Sequence, residues 1–278
     1  MDIYVINLKH DVFRKNIISA SLNKKNINFK LFNGIYGKDL RGAYLHTYFS
    51  RSCIDSCPKS VLGCAASHIE IMKKAANSVN EYTIVLEDDA TLTERFSTQN
   101  IYSLIEEAGD FDLFILGCLH GCGNNDAGIV RMFRSTDYLL NLPLSENIIR
   151  PDFFAGTHAM VYTKSGANKI LQAIALDHVY NHIDIYLNNL YKHGLINVKA
   201  TNQILAYQDL SDTNNGTYSL IDSFFAKTLP MQSSFHPYYL HIYELKTTVK
   251  LLLLLCFYMK YGIDHKYFYL LVIWLLLW

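Results

Sequence analysis

A run of aliphatic residues that ends in three consecutive acids limits most strongly what this chain can fold into. Residues 84–89 read Ile-Val-Leu-Glu-Asp-Asp. The aliphatic part favours a β-strand covered on both faces, whereas three adjacent carboxylates repel one another unless a cation answers them. Because open α/β folds bind ligands at the carboxyl edge of a parallel sheet, the run predicts a cation-dependent ligand site at such an edge.

The alternation of side chains along a strand divides the three acids into two groups. Glu87 and Asp89 are expected to point to one side of the strand and Asp88 to the other. One side can then hold a hard divalent metal with its phosphates, and the other a sugar or ribose hydroxyl. The alternative is a solvated acidic turn that starts the next helix, since Thr91 and Glu94 follow. The hydrophobic run in front of the acids favours the ligand site.

Composition restricts the class of protein. The 278 residues can form one large domain or one domain with an appendage, and half of them are hydrophobic, which is ample for a core. Lysine plus arginine and aspartate plus glutamate number 25 each, so no overall positive field attracts nucleic acid. No basic stripe with aromatics at stacking spacing is visible either. We therefore expect no nucleic-acid partner.

The first residues, Met1 to Leu8, resemble an opening strand more than a signal peptide. An acid follows the methionine directly, and no basic flank precedes the apolar residues. A chain whose fold begins at its first residues is expected to be cytoplasmic.

Two cysteine pairs share the spacing C-x3-C. Cys53 and Cys57 form one pair, and Cys118 and Cys122 form the other with His120 between them. The C-x2-C knuckles usual for structural zinc are absent. We therefore expect reduced thiols, the ordinary state in a cytosol, with a zinc site as the alternative.

Strand-like runs alternate with helix-like stretches, which predicts an α/β fold with a mostly parallel sheet flanked by helices. The predicted strands cover residues 3–8, 29–32, 82–86, 113–116 and 159–162, and the predicted helices cover residues 11–26, 60–76, 101–108 and 166–176. Residues 117–128, rich in glycine and asparagine, are expected to form an irregular loop.

The last thirty residues differ in kind from the rest of the chain. Residues 251–259 and 267–278 are apolar, but neither run reaches the ~20 residues that a transmembrane helix needs. Charged residues between them are costly at mid-bilayer. We expect a domain over 1–245 and a membrane-associating tail over 246–278, made of two short helices in the membrane interface. The alternative is a buried C-terminal helix pair.

Three segments together carry a family resemblance. They are the opening strand with Arg14 and Asn33-Gly34 downstream, the helix Gly63-Cys64-Ala65-Ala66-Ser67-His68 with Glu87-Asp88-Asp89 after it, and the strand-turn-helix element over 156–167. The combination resembles glycosyltransferase family 25, the lipopolysaccharide and lipooligosaccharide galactosyltransferases of Gram-negative bacteria. The resemblance covers roughly residues 1–215, and the C-terminus departs from it.

The resemblance implies a GT-A-like, that is Rossmann-like, domain that binds a UDP-sugar donor. Its acidic motif would hold a divalent metal, Mn²⁺ or Mg²⁺, on the donor diphosphate. Members of the family invert the anomeric centre, which requires a base to deprotonate the acceptor hydroxyl. A metal would also offset the charge of the leaving UDP.

Candidate residues follow from the strand end and the resemblance together. Asp89 is the first choice for metal ligand, with Glu87 beside it, and His158 is a further ligand for metal or phosphate. Asp88 is expected to bind the ribose or the donor sugar. For His158, the alternative is a histidine that only makes hydrogen bonds.

Asp184 is the candidate general base, because the family carries an acidic residue there. The alternative is an N-cap, since a helix is expected to start near this position. Asn7 and Arg14 are candidates for nucleotide contacts, because a first strand's carboxyl end lines the same crevice. Asn33 and His68 are further candidates, since both lie in segments that carry the resemblance and the resemblance suggests that the helix of His68 borders the donor site. The alternatives are a solvated helix residue for Arg14 and a core or capping residue for His68. Gln208 and Asp209, in a late polar segment, are further candidates to close over the phosphates.

The sequence thus predicts an inverting, metal-dependent hexosyltransferase, foremost a β-galactosyltransferase. Its partners would be a nucleotide sugar and a lipid-linked core oligosaccharide, at the cytoplasmic face of the inner membrane. Alternatives are transfer of another sugar such as glucose, or a non-catalytic membrane-associated protein of the same fold. A metal-dependent phosphohydrolase would need further ligand motifs, and the sequence shows none.

Overall fold

The computed structural model describes residues 1–118 and 141–208. Most of the predicted loop 117–128, His120, Cys122, Asp209 and the hydrophobic tail 246–278 lie outside the described residues. Within the described part, no helix is both long and apolar enough to cross a membrane.

The described residues form ten strands and seven helices. The strands are β1 Asp2–Asn7, β2 Lys30–Asn33, β3 Tyr82–Glu87, β4 Ala90–Leu92, β5 Leu113–Gly117, β6 Leu142–Pro143, β7 Ile148–Arg150, β8 Ala159–Thr163, β9 Val198–Thr201 and β10 Ala206–Gln208. The helices are α1 Val12–Lys24, α2 Gly42–Tyr48, α3 Arg51–Ser56, α4 Lys59–Ala76, α5 Thr98–Ala108, α6 Lys164–Asp177 and α7 Ile183–Lys192.

Eight of these strands form one sheet in the order β2-β1-β3-β8-β5-β9-β7-β6. The strands β8 and β7 run against their neighbours, and the other six run in one direction. Strands β4 and β10 form a separate antiparallel pair. The predicted α/β class with a mostly parallel sheet flanked by helices is therefore confirmed.

Hydrophobic side chains cover the sheet on both faces. Ile84 and Leu86 of β3 pack in the core that holds α1 and α5, whereas Val85 packs in the core that holds α4, α6 and α7. All three side chains are fully buried. This alternation explains why Ile84, Val85 and Leu86 form an uninterrupted apolar run in β3, since neither face of the sheet meets water there.

Each strand and helix predicted from periodicity is present, with ends shifted by a few residues. The helix after β1 begins at Val12 because Asp11 caps it, accepting a hydrogen bond from the backbone N–H of Arg14. The elements without a prediction are short or lie in polar sequence: α2, α3, β4, β6, β7, β9 and β10. Runs of two to seven residues carry too few periodic positions to show a helical or strand pattern.

The expectation of reduced thiols is wrong for three cysteines. Cys53 and Cys57 form a disulfide with Cα atoms 4.8 Å apart, and Cys118 is disulfide-bonded as well. Positions four apart on a helix lie on one face. The short helix α3 therefore brings Cys53 beside Cys57, which is its C-cap. This pairing also removes Cys53 and Cys57 from the alternative of a zinc site.

Candidate active site

The candidate site lies at the carboxyl edge of the parallel strands. Asn7 ends β1 and Glu87 ends β3, and the two strands are parallel neighbours. The strand β8 runs the other way, so its beginning lies at the same edge, where the backbone N–H of Glu87 donates to the carbonyl of His158 over 3.0 Å. This edge is where ligands bind in open α/β sheets.

Helix α4 approaches this edge closely through two glycines. A Cβ on Gly63 would lie 2.6 Å from the carbonyl oxygen of Ile35, and a Cβ on Gly37 would lie 1.6 Å from that of Lys59. Ser67 Oγ accepts a hydrogen bond of 2.8 Å from the backbone N–H of Ile35. The Gly-Cys-x-x-Ser-His motif thus seats α4 against the loop after β2, so that its histidine reaches the strand end.

Glu87 is held by two side chains from other elements. Thr157 donates a hydrogen bond of 2.5 Å from Oγ1 to Oε1 of Glu87, and His68 Nε2 lies 3.1 Å from the same oxygen. Burial alone would raise the pKa of Glu87, but the hydrogen bonds and charge of His68, together with Thr157, hold that pKa below its usual value. Glu87 is therefore a stable carboxylate inside the site.

One residue of α4 joins His68 and Glu87 in a cluster of metal-binding types. Donor atoms of Cys64, His68 and Glu87 lie within 4.8 Å of one another. Burial raises the pKa of the Cys64 thiol well above its usual value, and the nearby Glu87 raises it further. Cys64 is thus a neutral thiol beside Glu87.

Asp88 is positioned by the end of β1 and the start of α1. Asn7 Nδ2 donates a hydrogen bond of 2.7 Å to Oδ2 of Asp88, and Arg14 Nη1 lies 3.6 Å from its Oδ1. Burial raises the pKa of Asp88, while Asn7 and Arg14 oppose that rise. Two predicted nucleotide-binding residues are therefore in contact with the acidic run.

Asp89 is the most deeply buried of the three acids, with 5% of its surface exposed. Gln208 Nε2 donates a hydrogen bond of 3.0 Å to its Oδ2, and Arg14 Nη1 lies 3.9 Å from the same oxygen. Burial and then the charge of Glu87 raise the pKa of Asp89 to about 8. Its Oδ1 is buried and has no hydrogen-bond partner within the described residues.

The chemistry of these donors fits a divalent cation. Carboxylate oxygens are the ligands that Mg²⁺ and Mn²⁺ prefer, and a buried carboxylate oxygen without a donor is costly unless a cation meets it. Asp89 Oδ1 meets that description among the described residues. Asp89 therefore offers an oxygen that fits the metal that the sequence predicts.

The expected division of the acids into two sides differs from what the structure shows. Strand β3 ends at Glu87, and the next two residues form a turn. The alternation of a strand therefore stops before Asp88. Arg14 faces both Asp88 and Asp89, whereas Glu87 contacts His68 and Thr157.

Two further predicted residues lie at the same edge with different surroundings. His158 is fully buried, and its Nε2 lies 3.1 Å from the carbonyl oxygen of Ala206, which joins β8 to β10. Asn33 pairs with Asn7 in the parallel register and is exposed. Among the described contacts, Asn33 makes no hydrogen bond or ion pair with the acids.

Asp184 lies in the first turn of α7, and the N-cap of that helix is His182, so the N-cap alternative is wrong. Its Oδ2 accepts a hydrogen bond of 2.9 Å from the backbone N–H of Gly156, and its Oδ1 accepts one of 2.8 Å from that of Ile185. The half-buried carboxylate thus anchors the loop that leads into Thr157. It also raises the pKa of Cys64, as Glu87 and Asp89 do, which indicates that it lies near the same cluster.

Thr157 was not predicted from the sequence, although it lies between Gly156 and His158 of the family-like segment. A threonine in a strand-turn-helix segment gives no signal of its own, and only the fold brings it to Glu87. Gln208 is among the residues predicted from the late polar segment, and the structure places it on Asp89 because β10 pairs with β4 directly after the acidic run.

The chain is 25% identical over 211 residues to procollagen galactosyltransferase 1-B of Xenopus laevis, an alignment that covers 70% of this chain and 32% of that protein. The chain thus spans about a third of that relative's length.

Two solved structures show a distant likeness. The galactosyltransferase LgtC, in complex with donor and acceptor sugar analogs, has a TM-score of 0.37 at 9% identity, over 72% of this chain and 73% of that chain. The inositol-1-phosphate CTP transferase from T. maritima has a TM-score of 0.33 at 13% identity, over 72% and 64%.

The family model "Glycosyltransferase family 25 (LPS biosynthesis protein)" matches residues 1–187, which include the glycine-cysteine helix, the three acids and Asp184. This match covers more than half of the chain and confirms the resemblance that the sequence motifs carry. The chain belongs to glycosyltransferase family 25.

Proposed function

We propose that the protein is an inverting hexosyltransferase that moves galactose from a UDP-sugar to the core oligosaccharide of a lipid-linked acceptor. The observation that carries this proposal is Asp89, a buried carboxylate at the carboxyl edge of the sheet with an oxygen that lacks a donor among the described residues. Such an oxygen suits a cation-bound diphosphate, and membership of the family supports glycosyl transfer.

Asp89 would hold a divalent metal, with Glu87 and His158 as the further proposed ligands. When bound, such a metal neutralises the diphosphate and helps UDP to leave. Gln208 donates a hydrogen bond to Oδ2 of Asp89, so Oδ1 is the oxygen of Asp89 that would bind the metal. Arg14 lies beside Asp88 and Asp89, and its positive charge favours the ionised form of both carboxyl groups.

Asp184 would act as the general base. The acceptor hydroxyl oxygen attacks the anomeric carbon of the donor sugar as the bond to the UDP oxygen breaks, and the hydroxyl proton passes to Asp184. Attack from the face opposite UDP inverts the anomeric centre. Both Asp184 oxygens accept backbone hydrogen bonds, which fixes the orientation of the carboxylate without protonating it.

The choice of galactose is supported by the name of the aligned relative, a galactosyltransferase. Transfer of glucose on the same scaffold is the second candidate. Incubation with UDP-galactose and UDP-glucose in parallel, with release of UDP as the readout, separates the two donors. A membrane-associated binding protein without activity would release UDP from neither.

The Asp89→Asn variant tests the central assignment. The substitution preserves the shape of the side chain and removes its charge, so the fold should survive while transfer falls by at least about 10²-fold. Binding of Mn²⁺ to the donor complex, followed by electron paramagnetic resonance, should weaken in parallel. Asp55→Asn, at an exposed carboxylate on α3, is the matched control. Wild-type transfer by Asp89→Asn without added metal would refute the assignment.

The membrane and compartment belong to the same proposal. A tail over 246–278 would hold the domain 1–245 at the cytoplasmic face of the inner membrane, where lipid-linked acceptors are presented. Disulfides are uncommon in a reducing cytosol, so the Cys53–Cys57 bond provides a check. Titration of free thiols in protein trapped from intact cells shows whether that bond exists in the compartment where the enzyme works.

A further inference from the structure

Helix α1 carries large apolar side chains on two faces, and only one face is covered in the described structure. Ile18 and Leu22 are fully buried in the core. Val12, Phe13 and Ile17 are 54%, 69% and 53% exposed. Because Phe13 and Ile17 are four residues apart, their side chains lie on the same face of the helix. That exposed face is unusual for a surface helix, whose outer positions are normally polar.

This face adjoins the candidate site. The helix begins directly after the carboxyl end of β1, and Arg14 in its first turn faces Asp88. The ring of His10 packs edge-on against that of Tyr36 at 5.3 Å, and Tyr36 follows the carboxyl end of β2 with 39% of its surface exposed. The exposed apolar residues at the start of α1 therefore lie on the rim of the site.

The charge of this segment is positive, although the whole chain is neutral. Residues 9–25 contain five lysines and arginines against a single aspartate. Arg14 and Lys25 face acids of the protein, namely Asp88 and Glu94. Lys9 and Lys24 are exposed. Lys24 follows Phe13 by eleven residues, three helical turns along the same face.

We propose that this rim patch, defined as Val12, Phe13 and Ile17 with Lys9 and Lys24, docks on an anionic lipid surface. Exposed aliphatic and aromatic residues beside lysines are the pattern of helices that lie in a membrane interface. The lysines complement anionic headgroups, an attraction that weakens with salt. Docking through α1 would turn the rim of the site toward the bilayer. This inference rests on the proposed function in one respect, namely that the acceptor is lipid-linked.

Flotation of the full-length chain with vesicles tests the docking. Vesicles of phosphatidylethanolamine with phosphatidylglycerol are compared with vesicles of phosphatidylcholine alone. The double variant Phe13→Ser/Ile17→Ser should bind the anionic vesicles at least about tenfold more weakly than wild type. The matched control is Val79→Ser/Leu195→Ser. These residues are 100% and 58% exposed, and each precedes a strand at the opposite edge of the sheet. The control should bind as wild type does.

A second measurement tests whether α1 itself enters the bilayer, independently of the tail. The two native tryptophans, Trp274 and Trp278, are replaced by phenylalanine, and Phe13→Trp is introduced. Brominated phospholipids in the anionic vesicles should quench the fluorescence of this single tryptophan.

Two outcomes would overturn the proposal. One is vesicle binding by Phe13→Ser/Ile17→Ser that equals that of wild type. The other is fluorescence of the Phe13→Trp variant that stays unquenched when the protein is bound to the vesicles. In that case the chain's own tail or another protein covers the patch. Transfer to a short lipid-free acceptor is measured in the same preparations. Absent transfer with intact, patch-dependent flotation refutes the proposed function and leaves the docking supported.

Discussion

Asn7 donates a hydrogen bond of 2.7 Å to Asp88 although 81 positions separate the two residues. The same amide group donates to the backbone carbonyl of Asp11 over 2.9 Å. One buried side chain therefore joins the end of β1, the cap of α1 and the acidic run after β3. The orientation of Asp88 therefore depends on β1 as much as on β3, the strand that precedes it.

The Asn7→Ala variant should lower kcat/KM for the donor about tenfold to a hundredfold. The substitution leaves the half-buried Asp88 without its shortest hydrogen bond, and loss of a partner to a charged group costs about 1–3 kcal/mol. Steady-state kinetics at saturating Mn²⁺ measure the effect. Asn168→Ala removes an exposed asparagine of α6 and should leave kcat/KM unchanged. Equal values of kcat/KM for Asn7→Ala and wild type would show that activity does not depend on the hydrogen bond from Asn7 to Asp88.

The Asp184→Asn variant should lower turnover by about 10²–10⁴-fold, the usual contribution of a general base. Calorimetry should show nearly unchanged affinity for UDP, because Asp184 acts on the acceptor. A large loss of UDP binding with full turnover at saturation would move Asp184 to the donor side of the site.

A second variant separates chemistry from loop anchoring at Asp184. Asn188 also holds the 154–156 loop, through hydrogen bonds with both backbone groups of Phe154. Asn188→Ala therefore loosens the same loop while the carboxylate of Asp184 stays. If Asp184 is the base, Asn188→Ala should retain much more activity than Asp184→Asn. Equal losses would mean that Asp184 only anchors the loop.

Much of this fold was predictable because periodicity is strong in its central elements. The buried strand β3 and the helix α4 carry enough apolar positions to fix their type. The position of the acids at a sheet edge was predictable for the same reason. Their partners were not, since Thr157 and Gln208 reach Glu87 and Asp89 only through strand pairing over 70 and 119 positions. A single sequence carries no signal for such pairing.

The orientation of the acids could not be predicted from alternation, because the rule applies only within a strand. The strand ends at Glu87, two residues before the acidic run ends at Asp89. Asp88 and Asp89 therefore follow the geometry of a turn, which Arg14 of α1 then fixes. The disulfide differs from expectation for another reason. Reduced thiols are expected in a cytosol, whereas the spacing of Cys53 and Cys57 places the two residues on one face of a short helix.

Stability should depend on pH through an ion pair far from the site. Lys30 Nζ lies 2.7 Å from Oδ1 of Asp2, and Ser78 donates to Oδ2 over 2.6 Å. The hydrogen bond of Lys30, followed by that of Ser78, lowers the pKa of Asp2 from 3.8 to about 2. Because the folded pKa is the lower one, this stabilisation is present above about pH 4 and is lost as the pH falls toward about 2.

The Asp2→Asn variant should therefore lower the free energy of unfolding by about 1 kcal/mol at neutral pH, since Lys30 is largely exposed and the pair is partly screened. Urea midpoints of variant and wild type should converge as the pH falls toward about 2. Asp55→Asn, at a pair exposed on both sides, should change the midpoint less. A difference for Asp2→Asn that stays constant down to that pH would exclude the ion pair as its cause.

Removal of the tail separates its role from that of the rim patch. A chain that ends near residue 245 loses the apolar runs 251–259 and 267–278, whose buried side chains would each contribute about 1.5–3 kcal/mol to membrane binding. The truncated protein should leave the membrane fraction at high salt, because the lysines of the rim patch then supply a larger share of the attraction. It should still transfer sugar to a short lipid-free acceptor, since the proposed site lies within residues 1–208.

Full-length protein should stay membrane-bound in high salt and be released by detergent. Aggregated, inactive protein after truncation would instead mean that the tail packs into the core, the alternative that the sequence left open.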